Sequence, residues 1–164
     1  MKNHPVAATA GPPAAGIPGR QMDELGADEA LHLLGTVELG RIVFTRHALP
    51  AVRPVNHVLD AGDIIVRVQD GSTLAALLSA EEGTAVVVAY EADDIDPGDH
   101  LGWSVVATGY ATAVTEPGEI ERYAHLLQPW AAGTASGAVR ISPDLVTGFR
   151  LREGSASFGS GRAR

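Results

Sequence analysis

The sequence predicts a mainly β fold of the α+β kind: six or seven mostly antiparallel strands curled into a barrel, with about three short helices at its rim. Three observations predict it. β-Branched runs recur between short spacers rich in Gly, Pro and Asp. The helical patterns are few and short. The strict strand–helix alternation of a doubly wound sheet is absent. At 164 residues the chain has the size of one domain, long enough to bury a core.

Residues 1–20 hold four of the ten prolines and show no apolar period, so they read as a flexible tail. In ADEALHLLGT, Asp28 can cap a short helix whose apolar face is Leu31, Leu33 and Leu34. RIVFTR is the first strand; AVRPVNHVL and DIIVRVQ follow, joined by the hairpin signal Asp60-Ala61-Gly62. Ser72 caps STLAALLS, and TAVVVAYEAD is an apolar strand. EADDIDPGD reads as an acidic solvated loop turning at Pro97-Gly98. WSVVATGYATAV is a long strand bent at Gly109. PGEIERYAHLLQPW is an amphipathic helix opened by Pro117, with Trp130 as packing. AVRIS and LVTGFRL close the domain at 151, and 152–164 reads as a second loose tail.

Composition narrows the function. With no cysteine, thiolate chemistry, disulfides and cysteine-held metals are excluded. Residues 21–151 carry 19 acids against seven arginines and no lysine, a body that repels nucleic acid. No apolar run is long enough to span a bilayer, and no charged-then-apolar signal opens the chain, so we expect a soluble cytoplasmic protein. G-x-S-x-G, G-x-G-x-x-G, H-E-x-x-H and the calcium-loop spacing are all missing.

In so acidic a body an arginine inside a strand is informative. Arg67 stands a few residues before Gly71-Ser72, where the next helix opens. A guanidinium, a glycine that admits close approach and capped helix amides together suit a phosphate. The same residues also read as an ordinary cap plus a strand arginine paired with an acid. Arg53 shares a strand face with Val55 and His57, while Pro54 and Asn56 lie on the other; either a ligand edge or a solvated face would use them. Trp103 could border an aromatic ligand or pack an interface. His57 and His100 are candidate proton donors or ligand contacts.

LGRIVFT, RPVNHVLDAGDIIVRVQDGSTLAALL and VAYEADDIDPGDHLGWSVVATGYA together resemble the pyridoxamine 5′-phosphate oxidase-like proteins, over about residues 24–151. The resemblance implies a split β-barrel, a homodimer, and FMN held in the cleft between subunits. It places Arg53, Pro54, Val55 and Asn56 along the flavin edge, Arg67, Ser72 and Thr73 at the phosphate, and Trp103 and Ser104 near the ring. Typical members carry a lysine where this chain has Thr73, which keeps deazaflavin F420 or haem open as cofactor, haem with His57 or His100 as ligand. The resemblance implies redox chemistry on a small substrate and no vitamin B6 activity in particular. A cofactor carrier or sensor without turnover, and a structural dimer with an empty cleft, are the rival readings.

Overall fold

Seven strands and three helices follow one another in the computed structural model, which describes residues 19–68, 72–79, 85–127 and 137–154. They are β1 (Arg20–Glu24), α1 (Ala27–Leu34), β2 (Leu39–Arg46), β3 (Leu49–Asp60), β4 (Asp63–Val68), α2 (Thr73–Ser79), β5 (Val86–Ile95), β6 (Gly102–Ala113), α3 (Pro117–Leu126) and β7 (Gly137–Glu153). Trp130 and most of the two tails lie outside the described residues. Among the described residues no helix is long and apolar enough to cross a membrane.

Strands β7, β4, β3, β2, β5 and β6 are hydrogen-bonded neighbours in that order, and β6 returns to β7, closing a ring of six. Every pairing is antiparallel. β7 is 17 residues long: its first part pairs with β4, and its last part takes β1 as an extra strand at residues 149–153. The arrangement is the split barrel expected.

Turn chemistry fixes the hairpins. Ala61 and Gly62 have φ of 51° and 91°, both left-handed, as a two-residue hairpin between right-twisted strands requires. His47 and Ala48 do the same between β2 and β3 with φ of 49° and 62°, although neither is a usual turn residue. The β6–β7 ladder shifts register between Thr108 and Gly109, so the bend read at Gly109 is a bulge, with Pro143 facing it.

The barrel interior is filled by alternate residues: Ile42 and Phe44 of β2, Ile64 and Val66 of β4, Val88 and Tyr90 of β5, Trp103 and Val105 of β6, Val139 and Ile141 of β7. α1 plugs it with Ala30 and Leu34, and α2 with Leu74 and Leu78. A second, smaller cluster lies outside the barrel, where α3 lays Tyr123 and Leu127 over Ile65, Val114 and Ala138.

Several elements differ from the sequence reading. α1 begins one residue after Gly26, so Asp28 sits in its first turn and does not cap it. The acidic segment is strand through Ile95, because ladder pairing of Asp93 with Ser104 and Asp94 with Trp103 extends the apolar run. AVRIS and LVTGFRL form one strand through Pro143. β1 was not foreseen, since RQMDE has no apolar alternation.

Candidate functional site

Strand alternation sorts the candidate residues by face. On β3, His57 points into the barrel and Val58 points out, where it packs under α3 beside its register partner Ile65. Asn56 and Pro54 share the outer face of Val58. On β4, Arg67 shares the outer face of Ile65. Asn56 and Arg67 are each the next residue past the His57–Val66 pair, where the β3–β4 ladder ends. Pro54, Asn56 and Arg67 therefore form one line on the outside of the barrel.

Arg67 lies at the C-terminal end of α3. Its Nη1 donates to the Leu127 carbonyl at 2.6 Å, a bond that satisfies a helix-end acceptor and matches the helix's negative end. This explains an arginine in an apolar strand without any ligand. The cavity of about 20 Å³ between Arg67, Tyr123, Leu127 and Ala138 has room for a water and not for a phosphate.

The helix itself is pinned by charges. Glu119, Tyr123 and Leu127 form one stripe at spacings of four. Arg140 of β7 donates to Glu119 at 2.8 Å, to the Tyr123 hydroxyl at 3.3 Å and to Asp63 at 3.1 Å. Arg122 and the Tyr123 hydroxyl both donate to Asp60 beside the β3–β4 turn, and these bonds hold its carboxyl below the usual range. Burial, then the bond to Asp60, raises the Tyr123 phenol.

Ser72 and Thr73 stand at the start of α2. The Ser72 Oγ accepts from the Ala75 N–H at 3.2 Å, so the cap read in the sequence is present. The Thr73 Oγ1 accepts from Arg46 Nη1 at 3.3 Å. Both hydroxyls use a lone pair, which leaves each O–H able to donate to an anion. The arginine that meets this step is Arg46, from the end of β2, and sequence reading missed it because the two residues are 27 apart. α2 has only seven residues, so side chains rather than a helix dipole would have to supply the attraction.

The remaining candidates separate. Val55 packs against the main core, and Arg53 is exposed with Nη1 on the neighbouring Val52 carbonyl. Trp103 is buried in the barrel, 7% exposed, so its ring is core packing in this chain. Ser104 faces outward, into an open groove of about 340 Å³ beside Val106, Thr147 and Phe149. β6, which carries it, is three strands from β3 in either direction round the ring. One chain does not bring Ser104 to the Pro54–Arg67 line.

His57 is not a cleft residue. It is 2% exposed, and both ring nitrogens are engaged: Nε2 with the Leu34 carbonyl at 2.9 Å and Nδ1 with the Tyr90 hydroxyl at 2.7 Å. A carbonyl only accepts, so Nε2 carries the proton and Nδ1 accepts from Tyr90. His57 thus presents no nitrogen to a haem iron or a substrate, which corrects its expected place near a cleft. His100 lies in an exposed turn with φ of 60°. Among the described residues no group of three or more His, Asp or Glu could hold a metal ion.

The sequence profile of the family described as pyridoxamine 5′-phosphate oxidase matches residues 26–155. An uncharacterized protein of Mycobacterium tuberculosis, Rv0080, is 47% identical over 132 residues, covering 80% of this chain and 87% of that protein. A crystal structure from Corynebacterium glutamicum, named as a candidate pyridoxamine 5′-phosphate oxidase, is 32% identical with a TM-score of 0.66, covering 81% of this chain and 99% of that one. The FAD-binding protein of Mycobacterium smegmatis is 30% identical with a TM-score of 0.59, covering 80% of this chain and all of that one, 100%. Barrel topology, a matching profile and a relative at nearly half identity agree: the chain belongs to the pyridoxamine 5′-phosphate oxidase family.

Proposed function

We propose that the protein is a homodimeric flavoprotein that binds FMN between two copies and carries out redox chemistry on a small substrate. The observation that carries this reading is the line of Pro54, Asn56 and Arg67 on the outer face of β3 and β4, in a chain of this family. Arg67 would take phosphate oxygens from outside α3, and Arg46, Ser72 and Thr73 offer a second set of donors at the start of α2. Guanidinium and hydroxyl donors are the chemistry a phosphate monoester needs. Pro54 and Asn56 leave a mixed backbone and amide edge for a ring that presents both carbonyls and N–H groups.

A second copy is favoured by the sheet surface next to that line. Val52, Val43, Ala89, Thr108 and Leu145 are successive register partners across five strands, and the neighbouring pair Val87–Tyr110 continues the patch. Leu145 is 58% and Val87 62% exposed in one chain. An apolar sheet face of this extent suits an interface between copies. A dimer would also let Ser104 of one copy approach a cofactor held by the other.

Bound flavin would supply the hydride or electron transfer. The chain's part is to hold the phosphate, border the ring and exclude water. Addition of FMN to the purified protein tests the reading: we expect a perturbed flavin absorption band and quenched fluorescence saturating at one FMN per chain. An unchanged spectrum through the titration would refute it. Tight binding of FMN with no oxidation of NADH or NADPH would leave a carrier or sensor, and preference for F420 in competition would change the cofactor.

A further inference from the structure

We infer that Arg140 is a positioning residue for cofactor binding: acting through α3, it aims the Arg67 guanidinium at the phosphate. The inference rests on the role proposed for Arg67 and adds what sets that side chain's direction. Ile65 pairs with Arg140 and Arg67 with Ala138, so both arginines stand on the outer face of the β4–β7 pair, diagonal neighbours about 7–8 Å apart. Both reach up to the same stripe of α3. Arg140 holds Glu119 and Tyr123, and Arg67 holds the carbonyl of Leu127, one turn further on.

The end of α3 therefore helps set the direction of Arg67, and three other groups decide where that end lies. Arg140 is the most enclosed of the charged ones, 24% exposed, and bridges the helix to Asp63 on β4 itself. Arg122, which ties the helix to Asp60, is 51% exposed and so contributes less. The apolar contacts of Tyr123 and Leu127 with Ile65, Val114 and Ala138 keep the helix docked without any charge. Removing Arg140 should thus leave α3 in place but free to rock, and Arg67 with it.

The test compares FMN with riboflavin, which has the same ring and no phosphate. Both are titrated by fluorescence into the full chain and into R140M, R67M and the double variant. We expect R140M to lower the FMN-to-riboflavin affinity ratio at least about fivefold with riboflavin affinity unchanged, and to lower it no further once R67M is present. Equal weakening of both ligands would show a merely structural role and overturn the inference. So would an unchanged ratio, or an equal effect of R140M with and without R67M. A ratio that R67M leaves unchanged would instead remove Arg67 from the phosphate, and the inference with it. If R140M does not fold, E119Q, which breaks a single half-exposed ion pair, is read by the same criteria with an expected drop of about twofold.

Discussion

The Tyr90 hydroxyl donates to His57 Nδ1 at 2.7 Å inside the barrel, fixing the imidazole as the neutral tautomer that donates to Leu34. The pair joins β5, β3 and the end of α1 through one buried polar contact. Removing the hydroxyl in Tyr90→Phe leaves a buried nitrogen without a donor, and we expect a loss of about 1–3 kcal/mol in urea unfolding.

The same burial makes stability depend on pH. Loss of solvation lowers the His57 pKa from 6.5 in the folded chain. Below that value the unfolded chain binds the proton that the folded one refuses. Stability is therefore full above about pH 6.5 and falls as pH drops below it, with a slope of at most about 1.4 kcal/mol per pH unit. Urea midpoints measured between about pH 7.5 and about pH 5.5 should fall less steeply in His57→Gln than in the wild type. Equal slopes would place the titration elsewhere.

Gly40 lies where β2 crosses this pair. A Cβ there would overlap the Tyr90 hydroxyl and stand 2.6 Å from the Glu91 carbonyl oxygen, which is backbone and does not yield. We expect Gly40→Ala to cost more than about 2 kcal/mol, or to prevent soluble expression, by thermal melting against the wild type. A melting temperature unchanged by the methyl would show that the strands can part there.

The exposed Val87–Tyr110 pair tests the interface. Placing a carboxylate on that apolar face in Val87→Glu costs little in a monomer and much in a dry contact between copies. Sedimentation should show a dimer for the wild type and a monomer for the variant, with FMN affinity falling in step. A variant that remains dimeric would move the interface off this face.

Arg67→Ala should weaken FMN binding by more than about 1.5 kcal/mol, the scale of a lost charge-assisted hydrogen bond. It should also loosen the end of α3, seen as faster amide exchange at residues 123–127. Faster exchange with unchanged FMN affinity would assign Arg67 to the helix alone.

What the sequence made legible was local. The Ser72 cap, Pro117 at a helix start, the Ala61-Gly62 turn and the Gly109 bulge each depend on a few neighbours, and each is present. β1 is stable only because Arg20–Glu24 pair with residues 149–153, and nothing in four polar residues around a single Met22 announces that. The site was half legible for the same reason. Alternation placed Pro54 and Asn56 on one face, but Arg46 with Thr73, His57 with Tyr90 and Arg67 with Leu127 are pairs 27, 33 and 60 residues apart. Finding them requires the register of the barrel. Thr73, read as a gap where a lysine belongs, gains its cation from another strand.

The most direct measurement is a crystal structure of the protein with FMN. The phosphate should lie within hydrogen-bonding distance of Arg67, on the side away from the Leu127 carbonyl, with the ring between two copies. FMN bound away from Arg67, or a crevice there closed by the protein's own side chains, would contradict it.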